Sequence, residues 1–362
     1  MKRDVRAFVQ AIQHPKKGDL VAVAHRGCRF DGVPENSRSS IKKAVQNGSI
    51  CIEIDIRLTS DNVPILMNNL TIGRVTNIAE YMARNDHYSP FTGRGYSPLV
   101  SETPWKGVIE NLKLKEEHGE ICDQGVLDFK SMLDFIEEEA LEIVIMMDFK
   151  CKEAITVVYE IMKHRKNASG VPALEWCIWK IYVHMYKYPD ELEKESWWQE
   201  ACAIGKPLYI PAYAAWSTKQ LADPLASMKA FSHHPNVMAL EIELRAPGGN
   251  AQNLLDYATS DECPIESIGF FAGFGDLWKW DDKYIRFDMG EYTAPWNLDE
   301  PYSRLVFIVN TPPQNIDDLL TEGDSPDGHD YRSDLALYRQ LGYTWTITDY
   351  AKEQRNRGLV IR

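Results

Sequence analysis

Two acidic side chains alternate with isoleucines in residues 51–56. Glu53 and Asp55 are two residues apart, and side chains at that spacing in a β-strand point to the same face of the sheet. Two carboxylates on one buried face repel each other and lose hydration, so they need positive charge beside them. Oxygen ligands favour a hard divalent cation such as Mg²⁺. The spacing therefore predicts a metal site; the alternative is an outward face that carries ordinary solvated acids.

A second apolar segment, residues 142–148, ends in an acid and a base on one face. Asp148 is predicted to complete a site of three carboxylates, and Lys150 follows it two residues later. Lys150, as a point charge, and Arg26, as a planar fork, are the side chains expected to bind phosphate oxygens.

His25 follows the first apolar segment, residues 20–24, and directly precedes Arg26. A histidine at the carboxyl end of a strand is where (β/α) barrels place catalytic groups. A histidine considered alone is more often structural, so its functional interpretation depends on the acids that follow in the chain.

Short apolar segments alternate with longer amphipathic ones along the whole chain, which is the pattern of βα units around a parallel sheet. The predicted strands are residues 20–24, 51–56, 64–67, 142–148, 177–184, 208–211, 238–244, 267–271, 305–309 and 343–348. The predicted helices are residues 37–47, 128–139, 152–166, 219–232, 251–259, 316–321 and 330–340, with N-caps at Ser37, Asp128 and Asp330. Because ten strands exceed the eight of a barrel, one or two are predicted to be accessory.

The composition excludes several classes of protein. At 362 residues the chain is long enough for a large core, and its formal charge of −13 with no Lys/Arg cluster argues against nucleic-acid binding. The chain contains no run of about 18 apolar residues and no signal-like start, so we expect a cytoplasmic protein without a transmembrane segment. Seven cysteines without a CxxC pair predict reduced thiols.

The motifs resemble those of the glycerophosphodiester phosphodiesterases, which belong to a superfamily of phospholipase-C-like TIM-barrel enzymes. The motifs are HRG at 25–27, PEN followed by Ser at 34–37, ExDxRLTxD at 53–61 and PxLMxNxTxGRVTN at 64–77. Asp-Phe-Lys at 148–150 is also similar to the related sphingomyelinases D, and residues 307–310 and 347–350 resemble the last two strand ends of the family. The resemblance implies an α/β fold with a single (β/α)8 barrel and long decorated loops. One domain would span residues 1–362, with a barrel core at about 20–351 and a loop insertion at about 85–127.

The resemblance also implies roles for individual residues. His25 would be a catalytic acid or base, and Arg26 and Lys150 would contact phosphate. The metal ligands would be Glu53, Asp55 and Asp148. The resemblance favours Mg²⁺, with Mn²⁺ or Ca²⁺ as alternatives because an all-carboxylate site does not select sharply among them.

One position departs from the family pattern. The second catalytic histidine of the family belongs to an HD pair after the second strand, where this chain has Asn68 and Asn69. Asn68 can orient a group by hydrogen bonding, but it cannot exchange a proton near neutral pH. Losing a general acid or base typically costs on the order of 10²- to 10⁴-fold in rate.

Four residues are candidates for the missing proton-transfer group. Lys180 and His184 share the parity of one predicted strand, and Glu241 and Glu243 share that of another. Lys180, His184 and Glu243 are expected to contact substrate. The alternative for each is a satisfied or solvent-facing side chain without a catalytic role.

The sequence therefore predicts an enzyme, a divalent-metal-dependent phosphodiesterase-like hydrolase that uses His25 with a non-standard partner. One alternative is a lyase or cyclase that activates a phosphate or diphosphate leaving group, and another is an inactive ligand-binding barrel. The substrate is expected to be a small phosphate-containing molecule. Tryptophans in predicted loops favour an apolar or aromatic group on it, unless they only pack the barrel rim; they are Trp105, Trp216, Trp278, Trp280 and Trp296.

Overall fold

Eight parallel strands form a closed barrel in the computed structural model. The structure describes residues 3–16, 18–29, 32–89, 94–116, 119–272, 331–332, 334–356 and 358–361, and the backbone of four short strands between residues 278 and 306. The barrel strands are β1 (Val21–His25), β2 (Cys51–Leu58), β3 (Val144–Phe149), β4 (Cys177–Tyr182), β5 (Tyr209–Tyr213), β6 (Leu240–Ile242), β7 (Ile268–Phe271) and β8 (Trp345–Thr348). Each strand pairs with the next, and β8 pairs with β1. The predicted (β/α)8 fold is confirmed.

The side chains inside the barrel change character along each strand. In β1 the apolar Val23 is followed by His25, and in β2 Cys51 is followed by Glu53 and Asp55. Val23 and Cys51 belong to the buried cluster of the lower interior, which also includes residues of the other barrel strands. The amino-terminal half of the barrel is therefore an apolar core, and the carboxyl-terminal half carries the charged groups.

Helix α1 (Val5–Gln13) packs against the apolar lower interior. Val9 and Ile12 are buried in the same cluster as Val23 and Cys51. Asp4 caps the helix, and its side chain accepts a hydrogen bond from the Arg6 backbone N–H at 2.9 Å. This helix was not predicted from the sequence.

Further helices cover the outside of the barrel or lie in its loops. They are α2 (Arg38–Gln46), α3 (Ile78–Tyr81), α4 (Phe129–Glu138), α5 (Glu153–Met162), α6 (Pro189–Glu193), α7 (Ser196–Ile204), α8 (Ala215–Thr218), α9 (Pro224–Ser232), α10 (Gln252–Ala258), α11 (Leu335–Gln340) and α12 (Ala351–Asn356). Ser37 and Asp128 cap α2 and α4 as predicted. The predicted helix at 316–321 and the predicted cap Asp330 lie outside the described residues.

The helix predicted at residues 219–232 is confirmed from Pro224 onward, whereas residues 219–223 are not helical. The structure has the short helix α8, a connection, and then α9, which begins at Pro224. Proline lacks the N–H that a helix interior requires but fits the first turn of a helix. Asp223 caps this new start by accepting a hydrogen bond from the Ala226 backbone N–H at 2.9 Å.

Ten strands were predicted although the barrel has eight, because some of the predicted strands lie outside the barrel. Pro64–Leu66 pairs antiparallel with β2 at the edge of the barrel sheet. Arg304–Val306 pairs with Thr293–Pro295 and not with a barrel strand, whereas residues 307–310, predicted to end a barrel strand, lie outside the described residues. The seventh position in the barrel belongs to β7, between β6 and β8.

A second apolar cluster lies in the long connection between β2 and β3. It includes Ile65, Ile72, Val100 and Leu114 and is separate from the cluster of the lower barrel interior. The short strands Lys113–Lys115 and Ile121–Gly125 pair in the same connection. Among the described residues, none of the helices has the length and apolar character needed to cross a bilayer.

Candidate active site

His25 ends β1, and its two ring nitrogens face different partners. Nδ1 lies 2.9 Å from Asp349 Oδ1, just after β8, and Nε2 lies 3.9 Å from Glu53 Oε2. Burial and the neighbouring Arg26 lower the pKa of His25. Burial alone would raise the pKa of Asp349, but Arg29 holds it below its usual range. Because an ionised carboxylate can only accept, Nδ1–H donates to Asp349 and Nε2 keeps its lone pair.

Glu53, Asp55 and Asp148 form a cluster of buried carboxylates above the apolar core. One oxygen of each lies within 4.8 Å of the other two. Asp55 and Asp148 are direct neighbours in the register of β2 and β3, and Glu53 is the neighbour of His25 in the register of β1 and β2. The structure thus brings together the three predicted acids and the predicted catalytic histidine.

Two lysines contact these acids from the neighbouring strands. Lys150 Nζ lies 2.8 Å from Asp55 Oδ1 and 3.2 Å from Asp148 Oδ1. Lys180 Nζ lies 3.1 Å from Asp148 Oδ2 and 2.9 Å from Glu241 Oε1. Burial alone would raise the pKa values of Asp55 and Asp148, but Lys150 together with Arg26 at Asp55, and Lys150 together with Lys180 at Asp148, lowers both below their usual range.

Arg26 is held between two carboxylates by an unusual backbone conformation. Its φ of 55° lies in the left-handed region, which non-glycine residues seldom adopt. Its Nη1 donates to Glu35 Oε1 at 3.1 Å, and its Nε lies 3.1 Å from Asp55 Oδ2. The turn after β1 therefore directs the guanidinium toward the acids of the site.

A cavity of about 360 Å³ opens above these groups at the carboxyl-terminal end of the barrel. Polar and apolar side chains contribute to its wall. The lining residues are His25, Arg26, Glu53, Asn68, Asp148, Lys150, Lys180, Tyr182, Ala214, Trp216, Glu241, Glu243, Arg245, Phe271, Arg332 and Ile347. This end of a (β/α)8 barrel is where enzymes of this fold place their active sites.

The model of the glycerophosphoryl diester phosphodiesterase family matches residues 25–255. That range begins at His25 and contains the three clustered carboxylates and both lysines. The chain belongs to this family. This membership confirms the resemblance that the motifs indicated. The matched region extends from the last residue of β1 to beyond β6.

Two mammalian relatives align with a segment of the chain. Glycerophosphodiester phosphodiesterase 1 from Rattus norvegicus is 46% identical over 68 residues, and the human protein of the same name is 43% identical over 68 residues. The alignments cover 18% of this chain and 20% of each relative, so the chain spans about a fifth of the length of these relatives.

A crystal structure of a glycerophosphoryl diester phosphodiesterase from Parabacteroides distasonis shares the fold. Its TM-score to this protein is 0.55 at 13% identity, and the comparison covers 99% of this chain and 93% of the other. At that identity the similarity supports the barrel fold and not a shared substrate.

The acidic cluster fits the divalent metal that the family resemblance implies. Asp55 Oδ1 and Asp148 Oδ1 are buried and lack a hydrogen-bond partner among the described residues, although Lys150 lies near both. Burial and the charges of Asp55 and Asp148 raise the pKa of Glu53 well above its usual range. A site of three acids with these features is short of positive charge, and Glu53, Asp55 and Asp148 could hold a divalent cation that supplies it.

A network of arginines around Glu35 was not predicted from the sequence. Arg26, Arg29 and Arg74 all donate to its carboxylate, at distances between 2.6 and 3.2 Å. Burial alone would raise the pKa of Glu35, but the three guanidinium groups lower it to about 2. Arg29 also donates to Asp349, which joins this network to the partner of His25. The PEN and GR segments of the motifs were the only sequence signal for this network.

Asn68 and Asn69, in the turn after β2, are each hydrogen-bonded to an arginine. The backbone carbonyl of Asn68 accepts from Arg57 Nε at 2.8 Å, and its side chain faces the cavity. The Asn69 side-chain oxygen accepts from Arg74 Nε at 2.7 Å. The turn after β2 is therefore tied to two arginines, and Asn68 is one of the residues that line the cavity.

His184 is not among the described residues that line the cavity. The predicted strand 177–184 ends at Tyr182, so the alternation that related His184 to Lys180 stops before it reaches the histidine. The His184 ring packs on Trp216 at 4.8 Å, and its Nδ1 lies 3.1 Å from Ser217 Oγ. His184 therefore contacts the cavity-lining Trp216 without being among the described lining residues itself, and its contact with substrate stays a prediction.

The predicted tryptophans fall in different places. Trp216 is 51% exposed and lines the cavity, where its ring lies 4.7 Å from that of Tyr182. Trp105 packs against the second apolar cluster, away from the barrel. The side chains of Trp278 and Trp280, and the whole of Trp296, lie outside the described residues.

Proposed function

We propose that this protein is a divalent-metal-dependent phosphodiesterase that cleaves a small phosphodiester. The observation that carries the proposal is the convergence of His25 Nε2 with three buried carboxylates in one cavity. Family membership supports phosphodiester chemistry. We propose Mg²⁺ as the metal; when bound, it would polarise phosphoryl oxygens and stabilise their developing charge.

His25 is proposed as the general base. Its neutral Nε2 takes the proton of the attacking hydroxyl group or water, and Asp349 stabilises the resulting imidazolium through Nδ1. Lys150 is proposed to contact a phosphate oxygen as a catalytic point charge, with Arg26 and Lys180 as further cationic contacts along the cavity wall.

The cavity supports a substrate with an apolar or ring-containing group beside the phosphate. Trp216 exposes half of its surface at the cavity wall, next to the buried ring of Tyr182. Large exposed aromatic side chains commonly mark binding surfaces, because their apolar faces gain from being covered. A bare glycerol head group would leave this surface uncovered.

Asn68 supports a second candidate, a lyase or cyclase that expels phosphate or diphosphate from its substrate. An amide at the position of the second histidine removes one proton transfer while the acidic cluster remains. A good leaving group bound to a cation needs less help from a general acid.

Phosphorus NMR of the protein with Mg²⁺ tests both candidates. The panel contains glycerophosphodiesters, lysophospholipids and prenyl diphosphates, and each is run with the wild type, with His25→Ala and with the control His233→Ala. His233 is exposed, and among the described residues its Nδ1 contacts Lys229 O at 2.9 Å and Ser232 Oγ at 3.2 Å, both near the helix end. Cleavage of a diester that is lost only in His25→Ala supports the phosphodiesterase.

The other outcomes separate the alternatives. Loss of phosphate or diphosphate from a prenyl substrate, without diester cleavage, would assign the protein to the lyases. Binding of a phosphorylated ligand without turnover, unchanged by His25→Ala, would support an inactive barrel and refute the proposal.

A further inference from the structure

Glu241 occupies the cavity wall with one oxygen bonded and the other not. It lies in β6, is 7% exposed and lines the same cavity as His25. Its Oε1 lies 2.9 Å from Lys180 Nζ. Its Oε2 is buried and has no hydrogen-bond partner within the described part of the chain.

A buried carboxylate oxygen without a donor is unusual because desolvation without a compensating hydrogen bond costs free energy. Glu243, two residues further on, provides a comparison in the same cavity wall. Its Oε2 accepts from the Ala215 backbone N–H at 3.0 Å, and its Oε1 accepts from Arg245 and Arg332. Both oxygens of Glu243 are thus bonded, whereas Oε2 of Glu241 has no donor among the described residues.

A proton on Oε2 would resolve this arrangement. A carboxylic acid donates through its O–H, and an oxygen of a bound substrate could accept that hydrogen bond. Burial raises the pKa of Glu241, and this effect outweighs the opposing attraction of Lys180, while Asp148 and Glu243 add to the increase. The surroundings of Glu241 therefore shift its carboxyl group toward the protonated form.

The barrel places Glu241 on a different side of the cavity from His25. Between β1 and β6, the strands β8 and β7 intervene in one direction and β2 to β5 in the other. In an in-line displacement at phosphorus, the attacking and leaving oxygens lie on opposite faces of the phosphoryl group. Two proton-transfer groups in well-separated sectors of the wall suit that geometry.

We propose that Glu241 is the second proton-transfer group of this site, donating from Oε2 to the leaving oxygen in place of the histidine that Asn68 replaces. The inference rests on the proposed phosphodiesterase function. His25 Nε2 takes the proton of the attacking O–H as that oxygen bonds to phosphorus. The bond from phosphorus to the leaving oxygen breaks, its electron pair stays on that oxygen, and the Glu241 proton joins it. Lys180 stabilises the carboxylate that remains, and solvent returns both groups to their starting protonation states.

The kinetic test compares leaving groups in Glu241→Gln. Glycerophosphoethanolamine expels an alkoxide that needs a proton, whereas glycerol p-nitrophenyl phosphate expels a phenolate that does not. We expect turnover of the first to fall on the order of 10²- to 10⁴-fold and that of the second by less than about tenfold. Glu241→Asp, which keeps an acid on a shorter side chain, should recover part of the loss. An equal fall on both substrates would assign Glu241 a structural role through Lys180, and no fall on either would also overturn the proposal.

An infrared measurement tests the proton itself, independently of turnover. The carbonyl band of a protonated carboxyl group should be present at neutral pH in the Mg²⁺-loaded wild type and in Glu243→Gln, and its Glu241 component should be absent from Glu241→Gln. Turnover without this band would overturn the assignment of Glu241 alone. The band without turnover of either diester would overturn the phosphodiesterase, and the transfer to its leaving oxygen with it.

Discussion

The buried acids around the cavity differ in how much positive charge surrounds them. Glu35 is bonded to three arginines, Asp55 and Asp148 share Lys150, and Glu53 lies mainly beside other acids. Under the proposed metal binding, the cation is therefore expected at the Glu53 side of the cluster. These differences determine what each substitution should do.

Asp55→Asn should abolish tight binding of divalent cations. The substitution removes one of three converging carboxylates, and an amide oxygen does not supply the lost charge. Titration calorimetry with Mg²⁺ and Mn²⁺ measures the effect, and Asp123→Asn, at a side chain that is 98% exposed, is the control. An unchanged titration of Asp55→Asn would refute the proposed metal site.

Glu35 should make stability fall in acid. Its pKa is lowered in the folded protein from 4.5 to about 2, so the unfolded chain binds the proton more readily. The contribution of Glu35, about 3 kcal/mol by linkage, is complete above about pH 4.5 and is lost as the pH falls toward 2. Urea unfolding between pH 7 and pH 3 measures it.

The variant Glu35→Gln isolates this contribution from the other acids of the chain. It leaves three guanidinium groups without their shared carboxylate, so at neutral pH we expect a loss of about 3–5 kcal/mol in the free energy of unfolding. The difference from the wild type should narrow on acidification. A difference that stays constant with pH would contradict the assignment, and Glu262→Gln, at an exposed side chain, should change stability by less than about 0.5 kcal/mol.

Asn68→His should increase hydrolysis of a simple diester, because it restores an imidazole at a position on the cavity wall. If Glu241 already donates the second proton, the increase should be larger in the Glu241→Gln background than in the wild type, since two groups that serve one step are not additive. Initial rates of the four proteins measure this coupling. No increase in either background would show that the site has diverged beyond this residue.

At the scale of elements, the turn after β1 depends on close contact with α2. Gly27 has a φ of +79°, and a Cβ there would lie 2.7 Å from the Ser40 backbone carbon. Gly32 has a φ of +75°, but a Cβ there would meet no atom of the described residues within 4 Å. Alanine substitutions at the two glycines therefore distinguish the cost of a left-handed backbone conformation from the cost of a steric clash with α2.

Gly32→Ala should cost only roughly 1–2 kcal/mol for the left-handed conformation. Gly27→Ala should cost about 1–3 kcal/mol more, because α2 or the turn must move. That movement should also displace Arg26 and weaken metal binding. Thermal unfolding and Mg²⁺ titration of both variants check the comparison; equal effects in the two would mean that the contact with Ser40 is not decisive.

The elements that could be predicted were those with a local signal. Alternation placed Glu53 and Asp55 on one face of β2, and capping residues marked the starts of α2 and α4. The parity argument failed for His184 because the end of β4 depends on packing that the sequence pattern does not show. The break before α9 had a signal, the proline at position 224, which the periodic pattern outweighed in the prediction.

At the scale of the whole molecule, the unpredicted contacts join distant parts of the chain. Asp349 reaches His25 only because β8 closes the barrel against β1, 324 residues away in sequence. The two partners of Arg29, Glu35 and Asp349, are likewise separated by most of the chain. A single sequence carries no information on such pairs until a fold brings them together, whereas the resemblance supplied the fold but not the contacts.

The two ends of the barrel should be separable by mutation. Ile12→Ala, in α1 at the apolar end, should lower the free energy of unfolding by about 2–5 kcal/mol through the cavity it leaves. Its Mg²⁺ affinity should match that of the wild type, because the carboxylates lie at the opposite end. Ile204→Ala, at a residue that is 47% exposed, is the matched control and should stay within about 0.5 kcal/mol. A large loss of metal affinity in Ile12→Ala would show that the ends are coupled.

Helix α1 helps to close the amino-terminal end of the barrel, opposite the cavity. The apolar cluster to which Val9 and Ile12 belong fills the amino-terminal half of the barrel. Within the described residues, the cavity therefore opens at the carboxyl-terminal end and does not continue through the barrel. Under the proposed function, a phosphorylated product would leave by the route by which the substrate enters and would compete with the next substrate for the same charged groups. Because substrate and product would share one opening of the cavity, we expect product inhibition.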